Sequence, residues 1–187
     1  MKKIIPAGAA GMFILLSACS VPSYYTEEEK DVPGNIESEW GEKVPLPSFN
    51  ESSISRAQIN EDEEGEPEEL EIWYSEEEPD KRLPYFRDAG NRYRYEEDYS
   101  TRLVYGIYSN DIHIILDYEA GDQVVYGAHD EVLSIGGRPV GRDIQSGPMI
   151  YTFHAKGGTY TISYSEEARA DTEVHREQIK AFLQNSG

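Results

Sequence analysis

The stretch Met149-Ile150-Tyr151-Thr152-Phe153-His154-Ala155-Lys156-Gly157-Gly158-Thr159-Tyr160-Thr161-Ile162-Ser163-Tyr164 decides the fold class of this chain. Apolar and aromatic residues alternate with mostly polar ones on both sides of the Lys156-Gly157-Gly158 turn. The apolar set on one face consists of Met149, Tyr151, Phe153, Tyr160, Ile162 and Tyr164. Because side chains alternate across a strand and glycines reverse the chain, this stretch predicts a β-hairpin with one apolar face. It therefore indicates an antiparallel sheet that buries a single side.

Upstream of this hairpin, alternation predicts further strands. Residues 101–108 and 111–118 each place apolar residues on one face, and Ser109-Asn110-Asp111 between them has turn composition. We therefore expect these two segments to pair as a second hairpin. Two shorter strands are predicted at 123–126 and 131–135.

Downstream of the hairpin, the pattern changes to helical spacing. Ile179, Phe182 and Leu183 form an apolar stripe among charged residues. Ser165 or Asp171 is placed to cap a helix that packs on the sheet. The predicted fold class is α+β, mainly antiparallel β with a C-terminal helix, in a domain spanning residues 81–187.

Acidic residues concentrate in the first part of the chain. The 187 residues include 36 Asp and Glu against 17 Lys and Arg, a net charge of −19. Residues 20–80 hold 20 of these acids and three basic residues, a net charge of −17. Because self-repulsion opposes collapse, we predict that residues 19–80 form a disordered acidic tether. So acidic a chain is not expected to bind nucleic acid, which needs clustered cations.

Two apolar islands interrupt the predicted tether. Trp40 lies close to Val44 and Leu46, and the stretch 70–74 alternates and ends in aromatic residues. One interpretation is that the islands fold back on the domain, with 70–74 as an edge strand. The other interpretation is that they are linear motifs for another envelope protein.

The first eighteen residues have the pattern of a secretory signal peptide. Lys2 and Lys3 precede the mostly apolar residues 4–16, which are too few to span a bilayer. The following Leu16-Ser17-Ala18-Cys19 resembles the lipobox of bacterial lipoproteins. This resemblance implies that Cys19, the only cysteine, becomes the first mature residue and carries acyl chains that hold the protein at a membrane. The alternative is a secreted protein without a lipid.

Tyrosine and arginine cluster at the start of the predicted domain. Tyr93, Arg94 and Tyr95 form the centre of this cluster. Both residue types are enriched at protein interfaces, and tyrosine rings also stack on sugars. We therefore predict a binding surface here for an envelope protein or a glycan. The alternative is that these tyrosines cover a half-buried sheet.

Patterns typical of catalysis are sparse. In His129-Asp130-Glu131 an imidazole adjoins carboxylates, and Glu131 is better placed than Asp130 to orient it because strand neighbours point to opposite faces. The simpler interpretation of this trio is a polar loop before a strand. The sequence shows no metalloprotease, α/β-hydrolase or nucleotide-binding spacing, so we predict no catalytic residue, metal or cofactor.

Residues 130–140, with the sequence Asp-Glu-Val-Leu-Ser-Ile-Gly-Gly-Arg-Pro-Val, resemble a strand and turn of PDZ domains. The resemblance covers eleven of the 187 residues, and no peptide-binding residue is transferred from it. The alternative is an ordinary hairpin turn at Gly136-Gly137.

Three hypotheses for function follow from these features. Ser20 after Cys19 resembles the outer-membrane class of lipoproteins, so we expect a noncatalytic protein lipid-anchored to the cell outer membrane, on its periplasmic face, that binds another envelope component. The second hypothesis is an inhibitor or immunity protein against a basic, envelope-damaging hydrolase, because negative charge speeds encounter with a cationic target. The third is an envelope hydrolase, which requires His129 and Glu131 beside a third polar group in a cleft.

Overall fold

A computed structural model describes residues 31–49, 52–75, 88–106, 111–121, 124–144, 147–168 and 171–185. Within these segments the helices are α1 (Val32–Trp40), α2 (Ala89–Tyr99) and α3 (Thr172–Gln184), with a 3₁₀ turn at Tyr126–Ala128. The strands are β1 (Ser53–Glu61), β2 (Pro67–Ser75), β3 (Thr101–Tyr105), β4 (Ile112–Ala120), β5 (Glu131–Ile135), β6 (Arg138–Ile144), β7 (Met149–Ala155) and β8 (Gly158–Tyr164).

All eight of these strands belong to one antiparallel sheet. Its strand order is β3-β1-β2-β4-β8-β7-β6-β5. The predicted α+β class, with a mainly antiparallel sheet and a C-terminal helix, is therefore confirmed. None of the helices in the described segments is long and apolar enough to cross a membrane.

The predicted hairpin of β7 and β8, with its shared apolar face, is confirmed. Ala155 pairs with Gly158, which leaves a two-residue loop at Lys156 and Gly157. Both loop residues have positive φ, 48° and 91°, as the tight turns that match strand twist require. The loop between β5 and β6 has the same form at Gly136 and Gly137. The PDZ-like stretch is therefore an ordinary two-residue hairpin.

The prediction of a disordered tether over residues 19–80 is wrong for the segments 31–49 and 52–75. These segments supply α1, β1 and β2, and β2 lies between β1 and β4 near the middle of the sheet. Glu69 and Glu71 of β2 point to one face while Leu70, Ile72 and Tyr74 are buried on the other. The net charge of residues 20–80 does not reveal this alternation of acidic and apolar residues, because it averages over both faces of the strand. The domain therefore begins well before residue 81, and the rest of the predicted tether lies outside the described residues.

The turn between β1 and β2 is built by an acidic residue. One oxygen of the Asp62 side chain accepts hydrogen bonds from the backbone N–H groups of Glu64 and Glu66, at 2.8 and 2.9 Å. Gly65 has a φ of 84°, which closes the turn. A run of acids that suggested disorder thus contains the local signal that pairs β1 with β2.

The interpretation that the apolar islands fold back on the domain is confirmed. Trp40 and Val44 are buried, and the Trp40 ring lies 5.6 Å from the ring of Tyr118. The expectation that 70–74 forms an edge strand is wrong, because β2 has a neighbour on each side.

Three other local predictions are wrong. Segments 101–108 and 111–118 do not pair, because β3 pairs with β1 while β4 pairs with β2 and β8. The hairpin of β1 and β2 occupies the space between them, and the predicted turn at residues 109–110 lies outside the described part. The alternative that the tyrosines of residues 92–99 cover a half-buried sheet is wrong, because these residues are helical. Asp88 caps α2 by accepting hydrogen bonds from the amides of Gly90 and Asn91. Tyr126, predicted at the end of a strand, begins the 3₁₀ turn.

The apolar side of the sheet is covered by α1, the segment 41–49 and α3. Phe49 packs edge-on against Tyr74 with ring centroids 4.7 Å apart, and Phe182 packs against Tyr160 at 5.0 Å. The Tyr160 hydroxyl donates to the carbonyl of Pro45 at 3.0 Å. This aromatic layer forms the core, and it ties the N-terminal segment to the C-terminal hairpin.

The predicted C-terminal helix is confirmed, and Asp171 is its cap. The Asp171 side chain accepts from the amide of Val174, whereas the Ser165 hydroxyl accepts from Ala168 before the helix begins. Ile179, Phe182 and Leu183 are buried, as the stripe predicts. His175 is also buried, with 3% of its surface exposed, and it stacks on Tyr164 with ring centroids 3.5 Å apart.

Burial of His175 makes the stability of the fold sensitive to acid. Burial lowers the pKa of His175, although the Ala168 carbonyl and the charge of Asp171 oppose the shift. As pH falls below about 6.5, the unfolded chain therefore binds a proton at His175 before the folded chain does. The contribution of neutral His175 to stability is fully present above that pH and is lost as pH falls below it.

We predict that His175→Phe flattens this pH dependence. As pH falls below about 6.5, the unchanged protein should lose up to about 1.4 kcal/mol of unfolding free energy per pH unit from this group. Urea titrations across this range measure the slope, with the exposed His154→Gln as the control that leaves it unchanged. An equal slope in His175→Phe and the unchanged protein would contradict the prediction.

Candidate functional site

The side of the sheet opposite the apolar core, which we call the outer face, is polar and half-exposed. Strand registers place one straight row of outer-face residues across six strands: Gln58, Glu71, Asp117, Thr161, Thr152 and Gly141. The outward residues of β7 and β8 are mostly hydroxyl-bearing or polar, and each is partly accessible or exposed. The outer face is therefore where the described fold presents functional groups to solvent.

At the β1 side of the outer face, Arg56 is a buried cation held by aromatic and polar groups. Its side chain stacks over the Trp73 ring at 4.0 Å and donates a hydrogen bond to the Tyr95 hydroxyl at 2.6 Å. It also bonds the side-chain oxygen of Gln58 and lies 3.4 Å from Glu71. Burial lowers the pKa of Arg56, although Tyr95 and Glu71 oppose the shift. These contacts attach α2 to the sheet.

Next to Arg56, four acids on β2 and β4 form two directly opposed pairs. Glu69 faces Glu119, and Glu71 faces Asp117. We call these four residues the carboxylate ladder. Like charges directly opposite each other across two strands are destabilising, since their Cβ atoms lie only about 5 Å apart. Arg56 approaches one end of the ladder, at Glu71.

The ladder changes the acidity of its members. Burial raises the pKa of Asp117 to about 7, with further contributions from the charges of Glu69, Glu71 and Glu119. Burial also raises the pKa of Glu71, although the Arg56 charge opposes this shift. At neutral pH the folded protein therefore holds a carboxyl group that is only partly ionised.

A shallow acidic cavity continues from the end of the ladder. Its volume is about 520 Å³, and its lining residues are Asp62, Pro67, Glu68, Glu69, Glu119 and Ala120. Two ladder residues, Glu69 and Glu119, thus line both features. Together they present negative charge with an open approach from solvent.

The sequence trio His129-Asp130-Glu131 does not converge into one site. The His129 Nδ1 atom lies 2.8 Å from a carboxylate oxygen of Asp143. Asp130 accepts from the amide of Ile144, and Glu131 pairs with Arg142. The expectation that Glu131 orients His129 is therefore wrong, because β6 supplies closer partners for both residues.

His129 rests against the backbone of β6. A Cβ atom at Gly141 would overlap the His129 ring, so the absence of a side chain there makes room for it. Although burial alone would raise it, hydrogen bonds from His129 and the amide of Asp130 hold the pKa of Asp143 below its usual range. This geometry gives His129 and Asp143 a structural role in joining the loop to β6.

The predicted binding cluster is divided between two faces of α2. Tyr93 is 65% exposed and Arg94 is exposed, so both remain available to a partner. Tyr95 turns inward, where its hydroxyl accepts from Arg56 and its ring lies 4.9 Å from that of Tyr99. Tyr95 therefore holds the helix in place, and the three residues do not form one surface.

The described residues hold no group of three His, Cys, Asp or Glu side chains placed to bind a metal ion. Cys19, the predicted lipidation site, lies outside the described residues. The sequence did not predict the ladder because two of its four acids, Glu69 and Glu71, were assigned to the tether and so were not expected to pair with β4. The signal that reveals it is the alternation Glu69, Leu70, Glu71, Ile72.

No family model, curated protein sequence or solved structure matches this chain.

We predict that Asp117→Asn stabilises the protein at neutral and alkaline pH. The folded-state pKa of Asp117, about 7, exceeds the unfolded value of 3.8, so its ionisation costs stability as pH rises through this window. Allowing for solvent screening, the gain in unfolding free energy should be about 2 kcal/mol at pH 8 and close to zero near pH 4.

Chemical denaturation at the two pH values measures this gain. Asp98→Asn removes the same charge from an exposed position on α2 and serves as the control, for which no comparable gain is expected. A destabilised Asp117→Asn protein at pH 8 would show that the carboxylate makes a favourable contact.

Proposed function

We propose that this protein is a noncatalytic lipoprotein of the cell outer membrane whose domain binds another envelope component on the periplasmic side. The lipobox-like Leu16-Ser17-Ala18-Cys19 supports the anchor. The observation that carries the binding role is the outer face, a half-exposed polar surface that keeps opposed carboxylates despite their repulsion. Direct opposition of like charges costs stability, and a binding role accounts for its presence.

The early start of the folded domain limits how far the domain can lie from the proposed lipid anchor. The first described residue, Asp31, follows Cys19 by twelve positions. At most about 3.5 Å per residue, this connection spans no more than about 40 Å. A disordered tether of about sixty residues would have allowed the domain to reach much farther from the membrane. The domain is therefore held near the membrane, and its partner must also come close to the membrane surface.

The anchor is tested by metabolic labelling with a fatty-acid probe. We predict that the unchanged chain takes up label and stays with membranes, whereas Cys19→Ala takes up none and is released from them. Ser20→Ala keeps the thiol and is the control that should still be labelled. Label on the Cys19→Ala protein would contradict lipidation at this residue.

A second candidate function is inhibition of a cationic, envelope-damaging hydrolase. The carboxylate ladder and the acidic cavity beside it favour this candidate, because complementary charge accelerates association and makes it salt-dependent. Exposed Tyr93 and Arg94 on α2 support the more general interface instead.

We predict that, under this second function, the protein slows cleavage of cell-wall substrate by a lysozyme-type enzyme and does so less at high salt. The double variant Glu69→Gln, Glu119→Gln should weaken inhibition at least tenfold. The variant Glu173→Gln, Glu177→Gln removes equal charge from α3 and is the control, since these acids lie outside the ladder. Equal loss in both double variants would indicate a general charge effect, and no inhibition would reject this function.

A further inference from the structure

The two edge strands of the sheet, β3 and β5, differ in whether other parts of the described chain bond their outward backbone groups. At the β3 edge, the amide of Leu103 donates to the Glu96 carboxylate at 2.9 Å, and the carbonyl of Leu103 accepts from Arg92. Arg92 and Glu96 also bond each other across one turn of α2, at 3.1 Å. Side chains of α2 thus occupy backbone groups that would otherwise pair with another strand. This is one way in which proteins prevent edge-to-edge association.

The β5 edge lacks such a cover in the described part of the chain. The two-residue loop at Gly136-Gly137 makes Ile135 and Arg138 the closing pair, which exchanges hydrogen bonds. Because hydrogen-bonded and non-bonded pairs alternate, Leu133 and Glu131 also bond toward β6. The N–H and C=O groups of Val132 and Ser134 therefore point away from the sheet. No described group bonds them, and Val132 is 50% exposed.

We infer that β5 pairs with β5 of a second copy of this chain, forming a two-fold symmetric dimer with one continuous sheet. The register follows from which groups are free. Val132 pairs with Ser134 of the second copy, Ser134 pairs with Val132 of the second copy, and Leu133 lies on the two-fold axis. This register forms four backbone hydrogen bonds and satisfies every outward group of Val132 and Ser134 in both strands.

The side chains on this edge are self-complementary in the same register. Leu133 meets Leu133 of the second copy on the side of the sheet that carries the core, where this residue already packs against buried apolar groups. Glu131 comes opposite Ile135 of the second copy, whose neighbour on β6 is Arg138. Across the four strands, the side chains therefore follow in the order Arg142 and Glu131 of one copy, then Ile135 and Arg138 of the second copy. Opposite charges approach each other, and no like charges face directly, in contrast to the carboxylate ladder.

A second copy fits this edge better than a strand of arbitrary sequence. A two-fold interface presents the same patch twice, so it closes and leaves no further edge for growth. The remaining edge, at β3, is covered by α2 in each copy. The dimer therefore ends with both outer edges protected and does not extend into a fibre.

Cysteine cross-linking tests this register in the full chain carrying Cys19→Ala, purified in solution, so that the introduced thiol is the only one. Residues on the two-fold axis in a non-hydrogen-bonded pair have Cα atoms about 4.5 Å apart, which permits a disulfide. Leu133→Cys should give a dimer band on oxidation. Ser134→Cys is the control, because its two copies lie on a diagonal about 7–8 Å apart and should cross-link at least tenfold less.

Proline substitution tests the pairing without relying on a cysteine. The Val132 amide points away from β6, so Val132→Pro removes a donor needed for the dimer while leaving the β5–β6 hairpin bonds in place. Sedimentation of the full chain carrying Cys19→Ala should show a dimer that Val132→Pro converts to monomer and that Val132→Thr preserves. Circular dichroism of each variant confirms that it remains folded.

A monomer at all concentrations, a dimer unaffected by Val132→Pro, or stronger cross-linking at 134 than at 133 would each overturn the inference. None of these outcomes depends on the lipid anchor, because Cys19 is absent throughout. A failed dimer would therefore leave the proposed envelope function standing.

Discussion

The pairing of β2 with β4 is the interaction on which the rest of the structure depends. In the strand order these two are the junction between β3-β1-β2 on one side and β4-β8-β7-β6-β5 on the other. Their register runs from Glu69 with Glu119 to Ser75 with Ile112. Removal of this pairing would divide the sheet into two parts that each expose an apolar face. The single core exists because the acidic segment 67–75 is one of its central strands.

The same pairing has opposite energetic effects on the two faces. On the inner face it places Leu70, Ile72 and Leu116 in a fully buried layer, where each side chain contributes roughly 1.5–3 kcal/mol by leaving water. On the outer face it brings the acids of the carboxylate ladder into direct opposition, which costs about 0.2–1 kcal/mol per pair. Burial of apolar side chains therefore exceeds the repulsion, and the fold can keep charge on its open side.

Local patterns predicted local structure well, and they failed where distant segments meet. Met149–Ala155 and Gly158–Tyr164 alternate cleanly and share a two-residue turn, so their hairpin could be derived from neighbouring residues alone. The stripe ending at Leu183 defined α3 for the same reason. The partner of Thr101–Tyr105 could not be derived this way, because β1 lies more than forty positions away and was assigned to a tether. Net charge was a poor guide there, since a strand with one wet face can be highly acidic and still have a buried side.

In the candidate site, too, contacts between segments distant in sequence could not be predicted from local patterns. Arg56 contacts Trp73 and Tyr95, which belong to two other segments, so no pattern of neighbouring residues indicates this contact. Native-state hydrogen exchange of the amides in β2 tests the central claim most directly. The structure predicts that the amides of Leu70 to Tyr74 exchange as slowly as those of Tyr160 to Tyr164 in β8. Exchange of the β2 amides at the rate of an unstructured peptide, with β8 still protected, would contradict it.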